Sequence, residues 1–345
     1  MISVVIPSFN EVGFIDQTLT SLLASEDPGE PWEVIVVDGG STDGTREKLM
    51  DWDKRNPHVT WIDNPKRVTP VAMNIGIRAA QGETVLILGA HSEVSFDFLR
   101  RNADAMRTHP ESACVGGIVE QVHGSEKARR IGAALSTPFG VGDARFRTGG
   151  PPGHVDTVAF GCYRKSVLEE IGGFDEDLVR NQDDELNFRL TELGWRIWFD
   201  PRIRSRYHVR SSFGKLFRQY KQYGYWKVFV NRKHKTITTW RQVIPALFIV
   251  GMLTTGFWWL MDVMGWVGSA WSGVGRSVHL SIVALWLIGA IGSAWTVAQN
   301  RRDIAGVVQA FLWIHIGYGW GYLEGIGRFL ILRASPRETS TQLTR

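Results

Sequence analysis

Four short stretches carry side chains that can do chemistry on a charged ligand. Pro7-Ser8-Phe9-Asn10-Glu11 closes the apolar run "ISVVI", and Asp38-Gly39-Gly40-Ser41-Thr42-Asp43-Gly44 closes "WEVIVV". Carboxylates interleaved with glycines can hold a ribose and base while the bare backbone approaches a diphosphate. The same "DGGSTDGT" also suits an acidic turn and helix cap. Asn181-Gln182-Asp183-Asp184-Glu185-Leu186 offers a carboxylate able to accept a proton, or the acidic first turn of a helix. "LILGAHSEV", Leu86 to Val94, ends an apolar run in Gly89-Ala90-His91, where the lone His either binds a metal or packs at a strand end.

The elements that position these stretches alternate. "ISVVIPS" reads as a buried strand and is followed by a helix from about Val12 to Leu23. "WEVIVVDGGS" is a second strand, and "STDGTREKLMDW" opens a helix. "VTWIDN" is a third strand, "TPVAMNIGIRAAQG" a helix closed by Gly82, and "TVLILGA" a fourth strand. Short apolar strands separated by helices predict a parallel α/β sheet with its sites at the strand C-termini. No GxGxxG occurs, which argues against dinucleotide binding of the usual kind.

The composition changes near residue 241. Val243–Met261, Val278–Ala298 and Ile304–Leu323 are free of Asp, Glu, Lys and Arg. Each has about the 20 helical residues that a ~30 Å hydrocarbon core requires. Lys227, Arg232, Lys233, Lys235 and Arg241 precede the first window, and Arg301 and Arg302 lie between the second and third. Both basic segments should face the cytosol, while the loop from Asp262 to Ser277 suits the outside. Three crossings then place Arg328, Arg333, Arg337 and Arg345 outside, against the same rule. A re-entrant or interfacial third window, which is Gly-rich near its end and carries His315, would return the tail to the cytosol. Three spans is the adopted expectation. Ahead of them, "SFGKLFRQYKQYGYWKVFVNRK" suits a helix at the membrane surface, or an ordinary packed amphipathic helix.

Bulk properties agree with this division. Most of the fifteen Trp lie after residue 190, as expected of a half that faces a bilayer interface. Cys114 and Cys162, the two cysteines, argue for reduced thiols rather than a disulfide framework. "MISVVIPSFNE" has no basic leader region, so the first domain is expected to stay in the cytosol. Nothing resembles a nucleic-acid-binding motif.

"SVVIPSFNE", "VIVVDGGSTDGT", "AMNIGIRAAQGE" and "NQDDELNFRL" resemble the cytosolic GT-A domain of family 2 glycosyltransferases, over about residues 1–235. "VDTVAFGCYRK", "NQDDELNFRL" and "QYGYWK" resemble, within that family, the membrane-anchored succinoglycan-type exopolysaccharide enzymes. The resemblance implies an α/β fold, with a Rossmann-like GT-A domain followed by an α-helical transmembrane region. Residues 1–210 would form the cytosolic catalytic domain and 211–240 interfacial helices. Residues 241–333 would form the membrane region and 334–345 a flexible tail.

The same resemblance implies an inverting hexosyltransferase in a cytoplasmic membrane. It would move a sugar from a nucleotide donor, expected to be UDP-linked, to a hydroxyl of a lipid-linked glycan. Pro7, Asn10 and Glu11 would line the nucleotide pocket, Asp38 would meet base or ribose, and Ser41 and Asp43 would shape that turn. Asn74 and Gly76 match an Asn-x-Gly beside the donor. Gly161 would leave room near the transferred sugar or acceptor. Inverting transfer needs a carboxylate to take the acceptor's proton and positive charge for the departing diphosphate. The family's Glu-Asp-x-x-Leu places that base at Asp183, with Gln182 where Glu is usual and Asp184 on the acceptor side. Gln222 and Trp226 keep the ends of a Gln-x-x-Arg-Trp signature whose Arg is here Tyr225, and would line the acceptor or diphosphate side. His208 and Arg210 could supply cationic contacts instead.

The family's metal-binding Asp-x-Asp or Asp-Ala-His is here Gly89-Ala90-His91. His91 would be the surviving ligand for Mn²⁺ or Mg²⁺, with Glu93 and Asp183 or Asp184 nearby. Two other functions stay open. A polyprenyl-phosphate sugar synthase has an acceptor that is already ionised and needs no base. A non-catalytic membrane partner is suggested by Gly89 and Gln182. The membrane helices permit a homo-oligomer without requiring one.

Overall fold

The computed structural model describes residues 1–208, with the side chain of His208 excepted, and 212–337. The cationic contacts expected of His208 and Arg210 therefore lie outside the described residues, as does the tail beyond Arg337. The chain divides into two compact units. The first joins Met1–Val122 to Asp143–His208. The second joins His123–Gly142 to the chain after residue 208, so a segment inside the expected 1–210 domain belongs to the helical unit.

In chain order the first unit begins with β1 (Ile2–Ser8), α1 (Ile15–Leu23), β2 (Trp32–Asp38), α2 (Thr45–Arg55), β3 (Val59–Asp63) and α3 (Thr69–Ala79). It continues with β4 (Thr84–Ile87), β5 (Ser92–Val94), α4 (Phe98–Thr108) and β6 (Ser112–Val122). Helices α5 (Glu126–Leu135) and α6 (Pro138–Val141) belong to the second unit. The first resumes with α7 (Arg145–Thr148), β7 (Gly153–Val155), β8 (Ala159–Arg164), α8 (Lys165–Glu170), α9 (Gln182–Glu192) and β9 (Arg196–His208).

Among the described residues the strands form one sheet, ordered β3-β2-β1-β4-β8-β6-β9-β5, with β7 also on β9. Strand β1 runs parallel to β2 and β4, and β2 parallel to β3, as the alternating pattern predicts. Beyond β4 the expected parallel sheet becomes mixed. Strand β8 is antiparallel to both β4 and β6, while β6 and β9 are parallel. No helical crossover of the βαβ kind leads from β4 to β8, so nothing forces the parallel direction there.

Alternate residues of each central strand enter opposite layers. Val4, Ile6, Val34, Val36 and Leu86 pack with Leu19 of α1 and Leu99 of α4. Val5, Ile35, Val37 and Val85 pack with Met73 and Ile77 of α3 and Leu186 and Leu190 of α9. This is the two-residue period of a strand buried on both faces. It places α3 and α9 on one side of the sheet.

The second unit adds α10 (Phe213–His234), α11 (Ile244–Val263), α12 (Val274–Val297) and α13 (Arg301–Gly325) to α5 and α6. Helices α10 and α13 touch backbone to backbone. A Cβ at Gly224 would come within 2.1 Å of Tyr318 O, and one at Gly321 within 2.0 Å of Lys221 O. The Gly-rich end of the third window thus serves close helix packing within a continuous helix. Arg129 and Arg130 of α5 hold the buried Asp303 at 2.7–3.0 Å. Two stretches, Trp240–Val263 and Ser269–Val297, are long and apolar enough to cross a membrane.

Candidate active site

The parallel register sets Ser8 of β1 beside Asp38 of β2, with Pro7 beside Val37, so the loops after both strands open together. Their backbones are stitched to each other. Asn10 N donates to Ser41 Oγ at 2.7 Å, and Asn10 Oδ1 accepts from Thr42 N at 2.9 Å. Glu11 N donates to Thr45 Oγ1 at 2.8 Å, and Val12 N to Asp43 Oδ2 at 3.1 Å. Asn10 holds a positive φ of 55°, a conformation Asn tolerates better than most residues.

Asp38 is fully buried and builds its own turn. Its carboxylate accepts from Gly40 N at 3.0 Å, Ser41 N at 2.9 Å and Ser41 Oγ at 2.5 Å. Burial alone would raise the Asp43 carboxyl, but hydrogen bonds from the Thr45 hydroxyl and nearby backbone N–H groups bring it below its usual value. Asp43 therefore stays anionic and fixes the start of α2.

Two residues that the sequence pattern does not single out join this region. The guanidinium of Arg67 lies against the Asp38–Gly40 turn, 3.2 Å from where a Cβ of Gly40 would stand. Ser8 Oγ is buried without a hydrogen-bond partner among the described residues, and a bound polar group would relieve that cost. The basic pair in "NPKRVTP" is the signal that could have found Arg67.

The expected donor residues on α3 face inward. Asn74 Nδ2 donates to Phe174 O at 2.8 Å, and its Oδ1 accepts from Phe174 N at 2.8 Å. Gly76 is buried against β1, where an added Cβ would lie 2.2 Å from Val5 Cγ1. The bare Cα of Gly161 likewise meets Cys114 Sγ and Tyr163 inside the sheet layer. The Phe174 turn leads to α9. Arg189 donates to Ile171 O at 2.6 Å and Gly173 O at 2.7 Å while pairing with Glu185 at 2.8 Å. Asn187 Nδ2 adds a bond to Thr157 Oγ1 at 2.9 Å.

Asp183 stands in the first turn of this tethered helix, after Asn181 in a left-handed conformation. Its side chain is open to solvent, yet burial, with Asp184 adjoining, lifts its carboxyl from 3.8 to about 6. The residue is thus reachable by solvent while protein packed around the start of α9 disfavours its charged form. Behind it, burial holds the Cys114 thiol and the Tyr163 phenol well above their ordinary values, with the Asp183 charge adding to both. Both groups are neutral at physiological pH. Cys114 and Cys162 are free thiols, as expected.

At the end of β4, Ala90 is buried and its carbonyl accepts from Thr18 Oγ1 at 2.9 Å. Gly89 lies tight against Ser92 Oγ and the Phe160 ring, at 3.1 and 3.2 Å from a built Cβ. A Cβ there would need Ser92 or Phe160 to give by a few tenths of an ångström. His91 is half-buried, and its Nδ1 lies 3.3 Å from Glu11 Oε1. Among the described residues no group of three or more His, Cys, Asp or Glu converges. His91 with Glu11 is an N,O pair; its carboxylate suits a hard ion, and its imidazole is better tolerated by Mn²⁺ than by Mg²⁺.

Gln222 and Trp226 lie on α10 of the second unit. Both are buried, and Trp226 packs on Tyr225 and Phe229.

The chain matches the model of glycosyl transferase family 2 over residues 3–172. It is 31% identical over 263 residues to the dolichyl N-acetyl-alpha-D-glucosaminyl phosphate 3-beta-D-2,3-diacetamido-2,3-dideoxy-beta-D-glucuronosyltransferase of Methanococcus voltae, covering 74% of this chain and 82% of that protein. It is 27% identical over 324 residues to the succinoglycan biosynthesis protein ExoA of Rhizobium meliloti (strain 1021), covering 92% and 93%. Among solved structures it resembles the mannosyltransferase PcManGT from Pyrobaculum calidifontis in complex with GDP-Man and Mn²⁺. The TM-score is 0.59 at 18% identity, over 93% of this chain and 86% of that one. At that identity the likeness speaks for the GT-A fold. The chain belongs to glycosyl transferase family 2.

Proposed function

We propose that this family 2 glycosyltransferase moves a hexosyl group from a nucleotide-sugar, with inversion, to a hydroxyl of a lipid-linked glycan, and that Asp183 is its base. The observation that carries the reading is Asp183 itself. It is solvent-reachable, lifted to about 6, and held on a helix that packs on the sheet. A base with that affinity is ionised at neutral pH yet takes a proton more readily than an ordinary Asp. It would accept the hydroxyl proton as the acceptor oxygen bonds to the anomeric carbon and the bond to the diphosphate breaks. A polyprenyl-phosphate acceptor would leave this carboxylate without a task.

The stitched loops, with Pro7, Asn10, Glu11, Asp38, Ser41 and Asp43, would seat the nucleotide. Asn74, Gly76, Gly89 and Ala90 would shape that seat through packing. Arg67 would meet the donor's negative charge. Mn²⁺ or Mg²⁺, held by His91 and Glu11 with the diphosphate, would supply positive charge to the leaving group. The related proteins that act on dolichyl-linked glycan or take part in succinoglycan biosynthesis support a lipid-linked acceptor. Helices α11 and α12 would anchor the enzyme in the cytoplasmic membrane, with the catalytic unit in the cytosol.

The test is to supply labelled UDP- and GDP-hexoses and a lipid-linked glycan to membranes containing the protein. The proposal expects label in the lipid fraction, with the anomeric configuration opposite to the donor's. Retention of configuration, or transfer to polyprenyl phosphate alone, would contradict it.

A further inference from the structure

Helix α13 meets each of the two apolar helices near one end. Gly319 meets the start of α11, where an added Cβ would lie 2.3 Å from Pro245 O, and Tyr318 Oη donates to Gln242 Oε1 at 3.2 Å. On α12 its partner is in the second half, where Trp286 Nε1 donates to His315 Nδ1 at 2.9 Å. Further along α11, Leu253, Phe257, Leu260 and Val263 are each more than half exposed. Lipid is the solvent that suits them.

Charged helices also pack against both ends of α13. Asp303, at its start, sits between Arg129 and Arg130 of α5, and Gly306 makes room for the Arg130 side chain. Glu324, at its end, pairs with Lys221 of α10 at 2.8 Å and with Arg337 at 2.9 Å. Helix α10 carries Lys or Arg from Lys215 to Lys233. Helix α10 packs backbone to backbone on α13 at Gly317, Gly321 and Gly325, so a crossing by α13 would draw Arg218, Lys221 and Lys227 toward hydrocarbon, where charge is costly.

Tryptophans mark the two water–lipid boundaries. Trp240 and Trp295 are largely exposed and Trp320 half-exposed near the end where α13 lies, and Trp266 and Trp271 are largely exposed at the other. The 20 residues of α11 between these belts span about 30 Å.

We infer that the chain crosses the membrane twice, through α11 and α12, and that α13 lies in the cytosolic interface. This rests on the membrane reading of the proposed function. It replaces the three-span expectation, and it puts Arg241, Arg301, Arg302, Arg328, Arg333 and Arg337 on one side, as basic residues prefer.

The test places one new cysteine in the full chain, Ser269→Cys or Ser335→Cys, at exposed positions, with the buried Cys114 and Cys162 kept. Intact cells and inverted vesicles are treated with a membrane-impermeant maleimide, and the unsubstituted chain sets the background. The expected result is labelling at 269 in intact cells and at 335 in inverted vesicles alone. Labelling at 335 in intact cells overturns the two-crossing topology while leaving the membrane reading in place. Release of the chain from membranes by alkaline carbonate overturns both.

Discussion

The side chain of Asn74 and the backbone of Phe174 exchange two hydrogen bonds of 2.8 Å, as two paired strand residues would. A residue read as lining the donor thereby fastens the turn that Arg189 ties to α9, the helix carrying Asp183. Under the proposed function, donor side and base side would be linked through one amide.

Asn74→Ala should leave the Phe174 N–H and C=O unpaired inside the protein, at a cost of about 1–3 kcal/mol. Urea unfolding would show it as a lower midpoint. If Asn74 also positions Asp183, the acid limb of the pH–activity profile should move toward lower pH as the α9 terminus loosens. A purely structural role would leave that limb in place.

Asp183 gives two pH signatures of its own. Because its ionised form is the base, kcat/KM should fall about tenfold per pH unit below about 6, rather than below the 3.8 of an ordinary Asp. For stability the sign is reversed. A carboxyl raised in the folded state favours folding below its unfolded value, and that contribution is lost as pH rises through about 6. Asp183→Asn should therefore raise Tm at pH 7 more than at pH 4. Equal effects at both pH values would show that its carboxyl is not raised.

Arg67→Ala should weaken donor binding about tenfold, the scale of one charge-assisted hydrogen bond, with little change in unfolding midpoint. Titration of the nucleotide diphosphate by calorimetry reads this directly. Unchanged affinity would remove Arg67 from the donor site.

Chelation should suppress transfer, and added Mn²⁺ should restore it. His91→Ala should need a higher Mn²⁺ concentration for half-restoration while keeping the fold. If the variant and the parent respond alike, His91 is not a ligand.

How much of this was legible depended on what each residue type can mean by itself. The apolar runs have few alternatives, so the first four strands and the loops that close β1 and β2 could be placed. Strand β8 has the same apolar character as a parallel strand, and its direction is set by partners far along the chain. Arg67 reads as a loop cation until a positive φ of 58° brings its neighbourhood to Gly40. Gly317, Gly319 and Gly321 looked like a weakness in a spanning helix; they are where α10 and α11 press against α13. The inward role of Asn74 depends on a turn a hundred residues away, which local pattern cannot supply.

The most direct test is transfer by Asp183→Asn beside the unsubstituted enzyme, in membranes with a labelled nucleotide-sugar and a lipid-linked glycan acceptor. The expected result is a loss of 10²–10⁴-fold in kcat, the contribution of a general base, with donor affinity and folding retained. Transfer within a few-fold of the parent would contradict Asp183 as the base and the hydroxyl-acceptor chemistry built on it.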